Sequence, residues 1–273
     1  AAVQRTRPHH HRPQPDGRHR LTWDLPQKLG QHFLRRPAVL EKIAAAAVPK
    51  HAAQVIEIGA GEGVLTERLL ERAGRVYAIE VDPNLVAKLL MRFRGEPRLK
   101  IVSQDVLATD LTQWGHAVVT GNLPYYITSP VIERTLAMGR LLERAVFLIQ
   151  KEVAERLTAK PGTRDYGFLT VATQMHANAR MLFKVPPGAF SPPPKVDSAV
   201  VQLDPLPHPE AGDPTPMLAF LGLCFKQKRK TLRNNLGPIF GNELIEAQPE
   251  ARLRAEQLTL DQFRSLYRRL TGA

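Results

Sequence analysis

The stretch NLPYYIT, from Asn122 to Thr128, directly follows an apolar run that is typical of a β-strand. Asn122 offers a side-chain carbonyl, and Pro124 offers a backbone carbonyl without an N–H of its own. Two acceptors on the hydrogens of an exocyclic amine can free its lone pair to attack an electrophilic methyl. Tyr125 supplies a face on which a base can stack. We therefore predict a site that modifies a base amine, although a Pro-Tyr pair alone also fits an ordinary loop.

A glycine-rich loop, EIGAGEG from Glu57 to Gly63, follows an earlier apolar run and precedes the helical pattern VLTERLLERA. Gly59 and Gly61 allow backbone amides to approach a ligand at the carboxyl ends of the strands. Val64 stands where the dinucleotide fingerprint requires its third glycine, which disfavours a nicotinamide dehydrogenase. On its own the loop also fits any tight turn from a strand to a helix.

Two acidic residues end the next two predicted strands. Glu80 can accept hydrogen bonds from both hydroxyls of a ribose, and Asp105 can accept one from an exocyclic amine. Taken singly, Glu80 fits a surface carboxylate and Asp105 fits a helix N-cap. Their shared position at consecutive strand ends, beside the glycine loop, predicts a cleft that binds a nucleoside.

Apolar runs that alternate with helical patterns must position these residues. Asp82 with Pro83, and Ser129 with Pro130, predict the N-cap and the first residue of two helices. Short strands joined by helices predict an α/β fold with a doubly wound, mostly parallel, seven-stranded sheet. The predicted strands are Val55–Ile58, Val76–Glu80, Leu99–Ser103, Ala117–Thr120, Ala145–Ile149, Met181–Val185 and Asp197–Leu203.

The 273 residues suffice for one α/β domain and a small second domain. Residues 1–24 are rich in Pro, Arg and His and poor in aliphatic residues, which predicts a disordered basic arm. Residues 25–204 contain the predicted sheet. The proline-rich stretch from Pro205 to Pro216 predicts a linker into an all-helical domain of residues 205–273.

The net charge of +12 is spread over every part of the chain. Such a charge is typical of a protein that binds a polyanion, nucleic acid first, although solvated lysines or anionic lipid would also account for it. The single Cys224 excludes an internal disulfide and a Cys-rich zinc site. No apolar run has the roughly 18 residues of a membrane span. We expect a cytoplasmic protein without a metal.

Seven motifs in order, from residue 27 to about 269, closely resemble the ribosomal RNA adenine dimethyltransferases of the bacterial KsgA/RsmA type. The resemblance implies a class I methyltransferase that uses S-adenosylmethionine and needs no metal. We expect the protein to be a monomer. The resemblance also implies the substrate, which is two adjacent adenosines in a hairpin loop near the 3′ end of 16S rRNA, within the small ribosomal subunit. The motifs are GQHFL, EIGAGEGVLT, IEVD, QDVL, NLPYYIT, FSPPPKVDSAVV and FKQKRKTLRNNL.

The resemblance also implies roles for individual residues. Phe190 is expected on the face of a flipped base opposite Tyr125, although it also fits a core phenylalanine before a proline turn. His32 stands where the family often has asparagine. The implied catalytic residues are Asn122, Pro124, Tyr125 and Phe190. The implied cofactor contacts are His32, Leu34, Gly59, Gly61, Glu80, Asp105 and Asn122.

From Leu221 to Leu236 the spacing predicts a helix with an apolar stripe on one side and cations on the other. A solvated helix face would look the same. With the family resemblance, a surface that binds rRNA phosphates is the better interpretation. Its predicted residues are Lys226, Lys228, Arg229, Lys230 and Arg233.

Two other functions stay open at this point. The macrolide-resistance methyltransferases share the fold but modify 23S rRNA, and the motifs FSPPPKVDSAVV and FKQKRKTLRNNL favour the 16S enzyme over them. A binding protein for ribosome assembly would need no catalysis. Retention of Gly59, Glu80, Asp105, Asn122 and Tyr125 favours an active enzyme.

Overall fold

The computed structural model describes residues 32–207 and 213–272. The arm predicted for residues 1–24 lies outside the described residues, as do Gly30 and Gln31 of the GQHFL motif. The strands within the described residues are β1 (Phe33–Leu34), β2 (Ala52–Ile58), β3 (Ala73–Glu80), β4 (Leu99–Ser103), β5 (Ala117–Asn122), β6 (Leu142–Gln150), β7 (Ala177–Val185), β8 (Phe190–Ser191) and β9 (Ser198–Pro205).

The helices connect the strands and form the C-terminal part of the chain. Those among residues 32–207 are α1 (Pro37–Ala47), α2 (Val64–Leu70), α3 (Pro83–Arg92), α4 (Thr128–Leu136), α5 (Lys151–Leu157) and α6 (Phe168–Gln174). Those of the C-terminal part are α7 (Thr215–Cys224), α8 (Leu232–Phe240), α9 (Asn242–Glu246) and α10 (Leu260–Thr271).

Seven strands form one sheet in the order β4-β3-β2-β5-β6-β9-β7. The five strands from β4 to β6 are parallel, and β9 is antiparallel to both of its neighbours. The mostly parallel seven-stranded sheet predicted from the sequence is therefore confirmed. The strand β3 begins at Ala73, three residues before the predicted start at Val76, because Ala73 pairs with Ala52 of β2.

Both faces of the sheet are buried. In β2, Val55 belongs to the apolar cluster on one face, while Ile56 and Ile58 belong to the cluster on the other face. Such double burial is expected for parallel strands covered by helices. The strand order reverses between β2 and β5, and open α/β sheets bind ligands at the carboxyl ends of the strands at such a point.

The two predicted helix starts have different outcomes. Asp82 caps α3 as predicted, because its Oδ1 accepts the N–H of Asn84 at 2.8 Å. The prediction of Ser129 as an N-cap is wrong, since α4 already begins at Thr128. A 3₁₀ turn over Tyr125–Ile127 leads directly into this helix. Pro130 then lies in the first turn, where a missing N–H costs no intrahelical hydrogen bond.

Within residues 213–272 the chain is helical, as predicted. Its helices share one apolar core with Tyr166, Val171 and Met175, which precede β7. The predicted boundary at residue 205 stays a prediction. Pro205 is still part of β9, where it pairs with Ala177.

The basic segment does not lie on one long helix, so the prediction of a continuous helix from Leu221 to Leu236 is wrong. The helix α7 ends at Cys224, and residues 225–231 form turns before α8 begins. We call residues 225–231 the basic turn. The apolar residues of the predicted stripe still reach the core, because Leu221, Leu232 and Leu236 are fully buried.

Tertiary hydrogen bonds explain the break. The N–H of Leu232 donates to the Leu253 carbonyl at 2.8 Å, and the N–H of Arg233 donates to the Ala251 carbonyl at 2.9 Å. Amides that bond to a distant loop cannot also bond to a preceding helical turn. The helix α8 therefore starts anew, and the cations before it lie on a turn.

Candidate active site at the strand ends

The loop after β2 brings backbone amides to the carboxyl end of the sheet. Gly59 and Gly61 have φ angles of 71° and 57°, in the left-handed region that glycine adopts without strain. A Cβ atom at Gly61 would lie 3.3 Å from the ring of Phe33. The predicted glycine turn is therefore present, and it packs against the segment that precedes α1. The N–H groups of Gly59 and Ala60 both donate to the Ile79 carbonyl, at 2.9 and 3.2 Å, so the predicted approach of these amides to a ligand stays a prediction.

Glu80 connects the end of β3 to this loop. Its side chain is buried, and its Oε2 accepts the N–H of Gly61 at 2.9 Å. Its Oε1 accepts the N–H groups of Val81 and Asp82 at 2.9 and 3.0 Å. A carboxylate has about four acceptor positions, so roughly one remains for a ligand in this arrangement.

Asp105 lies at the neighbouring strand end. Glu80 pairs in register with Ser103 of β4, and Asp105 follows Ser103 by two residues. The Asp105 side chain is exposed, and its Oδ1 accepts the N–H of Leu107 at 2.8 Å. It therefore caps a turn and not the helix of the alternative interpretation, and this bond uses only one of its two carboxylate oxygens.

Asn122 ends β5 beside the glycine loop. A Cβ atom at Gly59 would lie 3.5 Å from the backbone oxygen of Asn122. The Nδ2 of Asn122 donates to the His32 carbonyl at 3.0 Å, across 90 positions of sequence. Because the amide nitrogen is held in this way, the Oδ1 of Asn122 is the atom that can accept from a ligand.

The segment His32–Arg35 lies along the same loop and includes two predicted cofactor residues, His32 and Leu34. The His32 ring is hydrogen-bonded through Nδ1 to the Pro192 carbonyl at 2.8 Å. The Arg35 guanidinium pairs with Glu62 of the glycine loop at 2.7 Å. The structure therefore brings His32, Asn122 and the glycine loop together.

Tyr125 lies in the turn after Asn122, on the side of β9. Its hydroxyl is 3.2 Å from the hydroxyl of Ser198, the first residue of β9. Its ring centroid lies 6.0 Å from that of His32, and the ring planes are inclined by 33°. These contacts hold a half-buried ring at the mouth of the cleft.

The Pro124 carbonyl is engaged within this turn. It accepts the N–H of Ile127 at 3.1 Å and the hydroxyl of Thr128 at 3.2 Å. Both of its acceptor positions are therefore filled by the chain itself. This carbonyl could therefore accept a substrate hydrogen, as predicted, only after the Thr128 hydroxyl has released the carbonyl.

Leu34 and Phe190 lie opposite each other in the short sheet formed by β1 and β8. Both side chains are buried in the core cluster that also contains Val185 and Val200. Phe190 thus packs as the alternative reading describes, and its predicted stacking on a base stays a prediction. The burial of Leu34 leaves its backbone as the part that can contact a ligand.

Glu57 is a buried acid that the sequence analysis did not single out. Burial raises the pKa of Glu57 to about 8, although the Thr66 hydroxyl donates to its Oε2 at 2.5 Å and partly offsets this rise. The carboxyl group is therefore largely protonated near neutral pH. An acid within the apolar strand run VIEI was the available signal.

The predicted RNA-binding residues lie far from the glycine loop in sequence. In the basic turn, Lys226, Lys228, Arg229 and Lys230 are all exposed. Lys228 donates through Nζ to the Arg164 carbonyl, which ties the turn to the loop before α6. Arg233, on α8, pairs with Glu246 at 2.7 Å.

The part of the chain that the structure describes lacks two kinds of feature. Groups of three or more His, Cys, Asp or Glu side chains that could hold a metal ion do not occur among residues 32–207 and 213–272. Over the same residues, each helix is too short or too polar to cross a membrane.

Comparison with known proteins identifies the family. The family described as ribosomal RNA adenine dimethylase matches residues 24–271. The ribosomal RNA small subunit methyltransferase A of Acidobacterium capsulatum is 42% identical over 255 residues, which cover 89% of this chain and 90% of the relative. This chain belongs to the ribosomal RNA adenine dimethylase family. The resemblance inferred from the seven motifs is thereby confirmed.

Two solved structures support the same assignment. The dimethyladenosine transferase from Plasmodium falciparum superposes with a TM-score of 0.76 at 28% identity, covering 86% of this chain and 96% of that one. The 23S rRNA methyltransferase ErmE superposes with a TM-score of 0.67 at 29% identity, covering 87% and 99%. The predicted class I methyltransferase fold and the prediction of an enzyme are confirmed. The 23S rRNA methyltransferases, which the sequence analysis left as an alternative, therefore include a structure similar to this chain.

Proposed function

We propose that this enzyme transfers methyl groups from S-adenosylmethionine to N6 of two adjacent adenosines in the 3′-terminal hairpin loop of 16S rRNA, which gives N6,N6-dimethyladenosine. The observation that carries the proposal is Asn122, whose amide is held by the His32 carbonyl between the glycine loop and Tyr125. Family membership supports the reaction, and relatives named for the small ribosomal subunit support the substrate.

The strand ends fit the proposed cofactor. Gly59 and Gly61 leave room where side chains would stand, and Glu80 keeps roughly one acceptor position for a ribose hydroxyl. Val81 is 39% exposed directly after Glu80 and offers apolar surface for an adenine ring. Asp105 is exposed and can accept a hydrogen bond from the exocyclic amine. When bound, S-adenosylmethionine supplies an electrophilic methyl group on a sulfonium sulfur.

Asn122 prepares the substrate nitrogen. Its Oδ1 accepts a hydrogen of the adenine amine, which turns the lone pair out of conjugation with the ring. The hydrogen bond from Nδ2 to His32 prevents the amide from turning round and presenting a donor instead. Alignment of the reacting atoms can contribute about 7 to 11 kcal/mol to the lowering of the barrier. The amine loses its proton after the new bond forms, so a strong general base is not required.

A second acceptor must come from the adjoining backbone. The Pro124 carbonyl is filled by Ile127 and Thr128, whereas the Leu123 carbonyl lies one residue closer to Asn122. The N–H of Leu123 donates to the Leu148 carbonyl at 3.0 Å, which fixes this peptide at the end of the sheet. These bonds favour the Leu123 carbonyl as the second acceptor, with Pro124 as the rigid residue beside it.

Tyr125 provides the surface on which the target base rests. Stacking of an unpaired base on an aromatic ring contributes about 1 to 3 kcal/mol. The contacts with Ser198 and His32 restrict the ring before substrate arrives, so little conformational entropy is lost on stacking. An adenosine in a hairpin loop leaves its stack at a smaller cost than one in a duplex.

The basic turn would hold the rRNA around this loop. Its exposed cations can neutralise phosphates regardless of base sequence, which suits a surface that orients RNA and leaves selection to the cleft. This function would be carried out in the cytoplasm, where ribosomal subunits mature.

The modification of 23S rRNA is the second candidate, because ErmE shares the fold over 87% of the chain. The decisive experiment incubates the purified chain with methyl-labelled S-adenosylmethionine and either small subunits that lack the two dimethyladenosines or unmodified large subunits. The labelled rRNA is then digested and mapped by mass spectrometry.

Each outcome of this experiment has one meaning. Label as dimethyladenosine at two adjacent positions of 16S rRNA supports the proposal. Label in 23S rRNA favours the macrolide-resistance type. Binding of S-adenosylhomocysteine without label in either subunit would point to a non-catalytic assembly protein.

A further inference from the structure

Two consecutive asparagines in the first turn of α8 have opposite surroundings. Asn234 is exposed, whereas Asn235 is only 5% exposed. Along the chain Asn235 lies between Leu232 and Leu236, which are fully buried in the core of the C-terminal helices. An amide is costly to bury unless its polar atoms form hydrogen bonds, so the burial of Asn235 must be explained by its bonding partners.

The side-chain amide of Asn235 bonds to the basic turn. Its Nδ2 donates to the Cys224 carbonyl at 2.8 Å and to the Gln227 carbonyl at 3.3 Å. Cys224 is the last residue of α7, where a helix leaves carbonyls without an intrahelical partner. The backbone N–H of Asn235 donates to the carbonyl of Thr231, the last residue of the turn, at 3.1 Å. One residue therefore joins the end of α7, the middle of the basic turn and the start of α8.

The other polar atom of this side chain indicates why an amide stands here. The Oδ1 of Asn235 is buried and has no hydrogen-bond partner within the part of the chain that the structure describes. An unpaired buried acceptor destabilises a fold, and a leucine of similar size would avoid that cost. The two bonds from Nδ2 to the carbonyls of Cys224 and Gln227 are therefore what an asparagine contributes at this position.

The basic turn needs support because its own charges oppose a compact shape. Four exposed cations stand within five residues of this turn, namely Lys226, Lys228, Arg229 and Lys230. Like charges repel one another and favour an extended chain. Hydrogen bonds from a buried donor to two carbonyls oppose this extension, and they keep the backbone of the turn beside the start of α8.

We propose that Asn235 is a positioning residue for RNA binding, whose amide holds the basic turn in a compact shape that presents its cations together. This inference rests on the proposed function, since it takes the basic turn as the surface that contacts rRNA phosphates. A turn of fixed shape can neutralise several phosphates at once. A loosened turn carries the same charges but spreads them, so it neutralises fewer phosphates in the complex. Asn235 would therefore set affinity and salt dependence without touching RNA.

The test compares Asn235→Leu, which removes the donor at nearly constant volume, with Asn234→Ala at the exposed neighbour. Filter binding to small subunits that lack the two dimethyladenosines is measured over a series of salt concentrations. For Asn235→Leu we expect a Kd raised about threefold to tenfold at low salt, and a slope of log K against log salt reduced by about 1. Asn234→Ala should bind as the wild type. Thermal unfolding and an unchanged Kd for S-adenosylhomocysteine check that each variant is folded.

A combined variant separates positioning from a general loss of structure. It adds Asn235→Leu to a chain in which Lys226, Arg229 and Lys230 are already replaced by Gln. The further loss of affinity should be less than about twofold, because the cations that Asn235 positions are gone. A fully additive loss would mean that Asn235 acts independently of the turn, and it would overturn the proposal.

The remaining outcomes distinguish this proposal from the proposed function. If Asn235→Leu keeps the affinity and salt slope of the wild type while the triple Gln variant loses both, only the role of Asn235 is refuted. If the triple Gln variant itself binds as the wild type, the basic turn is not the RNA surface and both assignments fail. Should Asn235→Leu not fold, Asn235→Ala decides, because it removes the donor without adding an apolar side chain. A reduced salt slope in Asn235→Ala supports positioning, and a wild-type slope overturns it.

Discussion

The cleft at the strand ends and the basic turn use polar residues in opposite ways. In the cleft, Asn122 and Glu80 are held by hydrogen bonds to the backbone of His32 and Gly61, far away in sequence. In the basic turn, exposed cations end in solvent, and Lys228 is tied through Nζ to a backbone carbonyl. One region fixes atoms, and the other mainly concentrates charge.

The difference follows from what each region must do. A reaction that depends on alignment loses rate when an acceptor moves by a fraction of an ångström, so its residues need a rigid surrounding. Attraction to phosphates falls off slowly with distance and tolerates mobile side chains. We therefore expect single substitutions to be severe in the cleft and graded in the basic turn.

The largest effect is expected for Asn122→Ala. Loss of the acceptor should lower the rate of methyl transfer to small subunits by about 10² to 10³, by analogy with the removal of one hydrogen-bonding group from a preorganised site. Binding of S-adenosylhomocysteine should be partly retained. Single-turnover transfer and calorimetry measure the two quantities. Asn178→Ala, at an exposed asparagine of β7, is the matched control, and normal dimethyladenosine yield from Asn122→Ala would contradict the assignment.

The next effect concerns stability rather than rate. Burial raises the pKa of Glu57 from its ordinary value near 4.5 to about 8. Between these two pH values the folded chain keeps a proton that the unfolded chain releases, so the contribution of Glu57 to the free energy of unfolding falls as pH rises. The expected loss is at most about 1.4 kcal/mol for each pH unit in this window.

Glu57→Gln should remove this contribution, because its neutral side chain does not ionise. Urea unfolding at pH 5, 6, 7 and 8 would then show a flatter profile for Glu57→Gln than for the wild type, with the variant gaining relative stability toward pH 8. Glu133→Gln, at an exposed position of α4, serves as the control. Equal slopes for Glu57→Gln and the wild type would mean that Glu57 is ionised in the folded protein.

A graded effect is expected from neutralising the basic turn. The combined variant Lys226→Gln, Arg229→Gln and Lys230→Gln should weaken binding to small subunits by roughly tenfold or more at low salt and reduce the slope of log K against log salt by about 2 to 3. Arg75→Gln with Lys100→Gln removes two exposed cations at the amino ends of β3 and β4, remote from the cleft, as a control. An unchanged salt slope in the triple variant would show that the turn does not contact phosphates.

The smallest effect is expected for Arg233→Gln. Arg233 pairs with Glu246 at 2.7 Å, and both side chains are about half exposed, so the ion pair should contribute less than about 1 kcal/mol to stability. Arg233→Gln should lose less RNA affinity than Lys226→Gln, because Glu246 already neutralises part of the charge of Arg233. Filter binding at two salt concentrations compares the two. An equal loss would place Arg233 among the phosphate contacts.

Much of the sheet was predictable because its signals are local. Apolar runs of strand length, the glycines after β2 and the Asp82-Pro83 pair each depend on a few neighbouring residues, and each prediction agrees with the structure. Ordered motifs also identified the family correctly. Strand and helix ends were less predictable, as at Ala73 and Thr128, because pairing partners and preceding turns set them.

The sequence by itself determined the α/β architecture, the family and the residue types that meet at the strand ends, because periodicity and motif order survive without knowledge of contacts. Only the tertiary structure decided which atoms are free to act. In the folded chain the Thr128 hydroxyl donates to the Pro124 carbonyl, and Phe190 is buried. The His32 carbonyl orients the side chain of Asn122, and α7 ends at Cys224. The physical reason is that hydrogen-bond partners and burial depend on segments distant in sequence, which no local pattern specifies.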